Sequence, residues 1–316
     1  MIELTLGCLF SDRVEALADG RVTPEGCSLQ IRFAEAQALF RSVLRGEGHD
    51  LAELSLGSHI AAVAAGRRDW LGLPVFPSRA FRHANLYVRT DRIRRPEDLA
   101  GQRIGLIDYQ QTAALWLRGL LADDHGVARE GVEWITGGLH APVLTDRAPG
   151  PTPPGLSIAR TSATLDALLA AGEIDAVISP TAPRTFHQPA VPVGRMWADH
   201  EAAAGQWWQR TGLFPIMHVI VLRRSLAEAH PWLPASVTAA FTAALDLALA
   251  DIHRRDFPKV ALAGQLAAAE RSAARFGPGL WTYGLEENRA ELATALRHAA
   301  ADGLAGPDLT PDALFR

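Results

Sequence analysis

The segment Pro74-Val-Phe-Pro-Ser-Arg-Ala-Phe-Arg-His83 places two guanidiniums, Arg79 and Arg82, and one imidazole, His83, within five residues. A guanidinium is a rigid planar fork that matches a carboxylate. An imidazole is the side chain best suited to move a proton near neutral pH. Together they describe an anion grip with an acid–base group beside it. The plainer alternative is a pair of solvated loop charges and a histidine satisfied by a local hydrogen bond.

Other residues could join such a site. His218, inside an apolar strand-like run, is either a second proton-transfer group or a core histidine. Glu53 is either a base or the partner of an arginine. Ser55 and Ser58 stand where a helix begins, and Thr112 at another such start, where backbone N–H groups and the dipole favour an anion. A simple cap is the alternative reading for each. Tyr109 and Trp116 could stack on an aromatic ring, although Trp116, between Leu115 and Leu120, fits a core position as well. Arg184 follows a strand-like segment and Pro180 and Pro183, from which it could reach a ligand.

Metal chemistry finds little support. The eleven histidines form no His-Glu-x-x-His pattern, and Cys8 and Cys27 have neither metal-type nor disulfide-framework spacing. Asp199-His-Glu201 is a local cluster that a solvated helix start explains. Neither a metal nor an organic cofactor is expected.

The elements that must position these residues alternate. Strand signals at residues 2–9, 28–33 and 50–54 are separated by turn signals and a helical stretch at 36–45, and a helix follows at 58–65. A second block has strand signals at 103–107, 132–135 and 175–179, with helices at 112–123 and 164–171. Residues 141–155, with five prolines and two glycines, read as a loop. From residue 225 the chain is mostly helical and alanine-rich. This alternation predicts α/β sheets with parallel strands.

Strand-like segments at 84–89 and 216–222 flank the second block. The simplest topology is a two-lobed chain with two crossing strands: 1–88 with 219–316 as a discontinuous first lobe, 89–218 as an inserted second, and a ligand cleft between.

The bulk numbers agree with two lobes. At 316 residues and 34.0 kDa the chain exceeds what one core usually absorbs. A net charge of −4 and a pI near 6.3 provide no basic field for nucleic acid. The start Met1-Ile-Glu-Leu does not resemble a secretory signal, and the alanine-rich run at 235–252 is interrupted by Asp246 and Asp251. The expectation is a cytoplasmic protein outside the membrane; assembly of identical copies is compatible with the sequence.

Several of these strings occur together in one family. Ala52-Glu-Leu-Ser-Leu-Gly-Ser58, the PVFPSR-x-FRH string, Tyr109-Gln-Gln-Thr-Ala-Ala-Leu-Trp-Leu-Arg-Gly119, Trp134-Ile-Thr-Gly-Gly138 and Thr211-Gly-Leu-Phe-Pro-Ile-Met-His218 resemble the 4,5-dihydroxyphthalate decarboxylase family, in order, from about residue 4 to about residue 234. The resemblance implies a type 2 periplasmic-binding-protein-like fold and a small anionic aromatic carboxylate as ligand. It also implies that Asp12 and Arg13 match a family string after the first strand, where Ser11 replaces an aromatic residue.

Decarboxylating such an acid calls for a base for the phenol, an acid for the ring carbon and a grip on the retained carboxylate. A cation on the departing carboxylate would stabilise a charge that the transition state loses. Arg79 and Arg82 are therefore assigned to the retained carboxylate, and His83, His218 and Glu53 to proton transfer. The alternatives are a solute-binding protein without chemistry and another enzyme on the same fold performing elimination or isomerisation of a cyclic acid.

Overall fold

The computed structural model describes residues 1–316 except 144–153, 255, 257 and 278, so most of the proline-rich loop expected at 141–155 lies outside the described residues. The chain divides into two α/β units. One comprises Met1–Arg79, His218–Leu292 and Thr310–Arg316; the other comprises Ala80–Met217 and Ala293–Leu309.

The first unit opens with β1 (Ile2–Cys8), α1 (Asp12–Ala18), β2 (Cys27–Phe33), α2 (Ala36–Leu44), β3 (Leu51–Ser55), α3 (Leu56–Ala64) and β4 (Trp70–Arg79). The second unit carries β5 (Leu86–Arg89), β6 (Arg103–Leu106), α4 (Thr112–His125), β7 (Glu133–Thr136), β8 (Ser157–Arg160), α5 (Leu165–Ala171), β9 (Ala176–Ile178), β10 (Val193–Arg195) and α6 (His200–Thr211). The chain continues through β11 (Ile216–Arg223), α7 (Arg224–Ala229), α8 (Leu233–Ile252), α9 (Gln265–Phe276) and α10 (Arg289–Ala301).

The first sheet runs β2-β1-β3-β11-β4. Here β1 is parallel to β2 and β3, while β11 returns antiparallel to β3 and sets His218 opposite Ser55 and Ile220 opposite Glu53. All five residues of β3 are buried, as a central strand covered on both faces requires. β4 is not evident from the sequence, because Pro74 and Pro77 interrupt it. Proline is tolerated in strands mainly at sheet edges, and β4 is an edge strand.

The second sheet runs β10-β5-β9-β6-β7-β8, with β5 antiparallel to both neighbours and β6, β7, β8 and β9 parallel. Its core gathers Leu86, Val88, Ile104, Leu106, Leu117 and Trp134 on one side. Helices α4 and α5 end on glycines with positive φ, Gly126 and Gly172, the left-handed conformation that closes a helix without a Cβ penalty.

Two boundaries differ from the sequence expectation. The segment at 84–89 is no crossing strand: β5 pairs with β9 and β10, so the chain changes unit earlier, between Arg79 and Ala80. Residues 293–309, expected in the first lobe, belong to the second unit. Asp302 is fully buried there and binds both Arg118 and Arg129, and His298 packs against Gly119, where a Cβ would collide with its ring.

Among the described residues α8 is long and apolar enough to cross a membrane, contrary to the expectation from Asp246 and Asp251. Its Leu233, Val237, Phe241, Ala244 and Leu245 are buried in the first unit, and it packs on α1.

Candidate active site

Glu53 and His218 come together because β3 and β11 pair antiparallel. Their diagonal positions share one face of the sheet, within reach for long side chains. His218 Nδ1 lies 2.6 Å from Glu53 Oε1, and Glu53 Oε2 accepts a hydrogen bond from the Leu9 backbone N–H at 2.9 Å. The carboxylate is buried, and the ring of Phe40 stands edge-on to the imidazole at 4.9 Å. A carboxylate on Nδ1 fixes the tautomer and leaves Nε2 to accept a proton. Nε2 has no hydrogen-bond partner among the described residues. Of the two readings left open for Glu53, the structure shows pairing with a histidine rather than with an arginine. Beside it, burial and the Glu53 charge push the Cys8 thiol up to about 12, so it stays a thiol.

Arg13 is a cation of this unit with a donor to spare. It stands at the start of α1; Nε donates to the Pro77 carbonyl at 2.7 Å, and Nη1 to Asp12 Oδ1 at 2.5 Å. The guanidinium lies 4.6 Å from the centre of the Trp281 ring. Nη2 has no partner among the described residues, so the fork is fixed with one donor uncommitted. Ser11 carries no ring, but its neighbour Phe10 is 73% exposed and stacks edge-on against Phe33 at 5.2 Å.

Arg79 is placed otherwise than expected. Its side chain is buried, with Nη1 donating to Asn288 Oδ1 at 2.6 Å and Nη2 to Glu291 Oε1 at 2.7 Å. An arginine committed to an internal carboxylate is a fastener rather than a ligand grip. The signal that separates it from Arg82 lies more than 200 residues away, in Asn288 and Glu291, which nothing local in the sequence marks.

Arg82, in the second unit, has neutral partners only. Nε contacts Met217 Sδ at 2.9 Å and Nη1 donates to Asn85 Oδ1 at 3.2 Å, with no carboxylate bound among the described residues. Burial pulls its ionisation down to about 10, so the cation persists at neutral pH without a counter-charge.

The adjacent His83 is buried between the rings of Trp197 and Trp207, at 5.1 and 6.0 Å, and its Nδ1 has no partner among the described residues. Burial, then the positive charges of His125, His200 and Arg210, push it down to about 4. At neutral pH it is an uncharged ring and a weak base.

Among the remaining expected residues, Ser55 lies opposite His218 in the β3–β11 register. Ser55 and Ser58 are buried at the start of α3, and Ser55 occupies the cap position without a side-chain cap bond. Thr112 is buried in the first turn of α4. Tyr109 does not present a stacking face: the Arg118 guanidinium covers its ring at 3.9 Å within the second unit's core. Trp116 is a core residue that donates to the Ile216 carbonyl. Arg184 is exposed on a short 3-10 turn. Asp199 is a cap, accepting from the Ala202 N–H at 2.8 Å. Among the described residues no group of three or more metal-ligating side chains converges.

Solved structures with the same architecture place the fold. The alkanesulfonate-binding protein SsuA of Xanthomonas axonopodis pv. citri superposes with a TM-score of 0.50 at 17% identity, covering 99% of this chain and 98% of that one. A Candida albicans protein with the generic periplasmic binding protein fold gives 0.54 at 10% identity (99% and 94%), and the desulfurization enzyme DszB gives 0.52 at 15% (99% and 96%). The chain thus has a periplasmic-binding-protein-like fold, a scaffold that carries receptors and enzymes alike.

No family model matches the sequence. Two curated proteins do. The 4,5-dihydroxyphthalate decarboxylase of Comamonas testosteroni is 37% identical over 320 residues, covering 99% of this chain and 96% of that protein. That of Pseudomonas putida is 37% identical over 211 residues, 62% of this chain and 78% of the relative. The chain belongs to the 4,5-dihydroxyphthalate decarboxylase family.

Proposed function

We propose that the protein is a carboxy-lyase that removes one carboxylate from 4,5-dihydroxyphthalate or a close dihydroxylated aromatic acid. The observation that carries this reading is the Glu53–His218 pair, a carboxylate-oriented imidazole with an unpartnered Nε2, in a chain of this family.

The ring of such a substrate can itself accept the electrons, so the chemistry calls for no organic cofactor. A hydroxyl para to the leaving carboxylate gives its proton to His218 Nε2, and Glu53 holds the resulting imidazolium. The ipso carbon takes a proton from solvent water, which gives a cyclohexadienone. The bond to the carboxylate then breaks, CO2 leaves, and the electron pair returns to the ring as a phenolate. His218 can return the first proton to that phenolate. Arg13, with its uncommitted Nη2, grips the carboxylate that stays, an interaction whose charge is unchanged through the reaction. Arg82 is the second candidate for an anion, since its guanidinium is without a counter-charge.

Purified protein incubated with 4,5-dihydroxyphthalate should release CO2 and the corresponding dihydroxybenzoate in equal amounts. Tight binding with no CO2 would instead mark a receptor, and release of water or an isomer without CO2 would mark another enzyme on this fold.

A further inference from the structure

The segment between α9 and α10 carries a group that the mechanism above does not use. Tyr283 is buried, and its hydroxyl is buried with no hydrogen-bond partner among the described residues. The backbone around it is fastened on both sides. Trp281 Nε1–H donates to the Phe76 carbonyl at 3.1 Å, and the Gly284 N–H to the Pro74 carbonyl at 2.8 Å. Asn288 Nδ2 donates to the Thr282 and Gly284 carbonyls at 3.2 and 2.8 Å, while Arg79 holds Asn288 and Glu291 in turn. In this fastened segment the buried hydroxyl stays unsatisfied among the described residues, at a cost that phenylalanine would not incur.

Its neighbours are the residues of the proposed site. The charges of Arg13, Glu53, Asp12 and Arg79 all act on the phenol, and Arg13 rests on the ring of Trp281, two residues before it. Burial raises its ionisation above the ordinary phenol range, so the group is a donor at every physiological pH. Tyr109 also has an unpartnered hydroxyl, but its ring lies under Arg118 in the other unit's core.

We infer that Tyr283 is a substrate-contacting residue whose hydroxyl donates to an anionic oxygen of the aromatic acid bound at Glu53 and His218. The inference rests on the decarboxylase reading of that site. Arg79, Asn288 and Glu291 are then positioning residues that set the phenol beside it.

Tyr283→Phe removes only the hydroxyl. The variant should melt at the wild-type temperature or slightly above, because no internal hydrogen bond is lost, while kcat/KM for CO2 release falls about 10- to 100-fold. A lower melting temperature with unchanged kcat/KM overturns the inference, for the hydroxyl is then structural. Wild type that releases no CO2 from dihydroxylated phthalates sinks the decarboxylase reading separately, and calorimetry with 4,5-dihydroxyphthalate then decides. Binding weakened by the same factor in the variant supports the contact. Equal affinities, or no binding by wild type, overturn it.

Discussion

Glu53 Oε1 and His218 Nδ1 lie 2.6 Å apart although 165 residues separate them in the chain. The register of two strands accounts for this. Glu53 precedes the segment Ala80–Met217 and His218 follows it, and the antiparallel pairing of their strands sets the two side chains on one diagonal. A one-residue slip of β11 would turn His218 to the opposite face and break the pair.

Replacing either member should slow turnover more than it weakens binding. His218→Asn leaves a hydrogen-bonding group but no proton acceptor, and CO2 release should fall by roughly 10²–10⁴ with KM little changed. Glu53→Gln keeps the shape yet withdraws the charge that supports the imidazolium, so its loss should lie within the same range. Steady-state kinetics on both variants check this; wild-type kcat in either removes that residue from proton transfer.

Arg13→Ala should act on binding. Removing a charged partner from a bound carboxylate costs on the order of 2–5 kcal/mol, so affinity should drop by about 30-fold or more. Arg13→Lys should recover little of it, because an ammonium cannot keep the Pro77 and Asp12 contacts and a third donor in one plane. Calorimetry on the two variants, with Arg82→Ala beside them, shows which guanidinium holds the ligand.

Arg79→Ala should be a stability variant. It leaves Glu291 without its cation in a nearly closed site, a loss of about 3–5 kcal/mol for a broken buried pair. The melting temperature should fall markedly, and substituting Glu291 by leucine as well should restore part of it. A variant that melts like wild type but no longer binds acids would return Arg79 to the ligand.

His83 gives a pH dependence of known sign. Its folded value near 4 lies below the ordinary 6.5 because of burial and the charges of His125, His200 and Arg210. Between those values the unfolded chain takes up the proton that the folded one refuses. Its contribution is therefore intact above pH 6.5 and is lost as pH falls toward 4, up to about 3 kcal/mol. His83→Gln should flatten that limb of the stability curve; denaturant midpoints from pH 4 to 7 measure it.

Much of the fold was legible because hydrophobic alternation and turn residues are local signals. The strands at 2–9, 28–33 and 50–54 and the helix at 112–123 reappear with shifts of only a few residues. β4 was not, because its two prolines argue against a strand unless the edge position is known. The site was legible in part. Glu53, His218 and Arg13 could be named from residue type and family strings, but their pairing depends on register. Arg79 and Arg82 look alike in sequence, and what separates them is the presence of Asn288 and Glu291 beside one of them. Tyr283 stood in a stretch read only as helical and alanine-rich, with nothing local to mark it.

Asp302 gives the second unit a dependence on the order of synthesis. Arg118 and Arg129, both buried, share this one carboxylate, which follows them in the chain by 184 and 173 residues. Until Asp302 has been added, neither arginine has the carboxylate that binds it in the folded unit, although the strands of the sheet have already been translated. An excised fragment spanning Ala80–Met217 would be arrested in that same state, and a clone meant to yield this unit must also supply Ala293–Leu309.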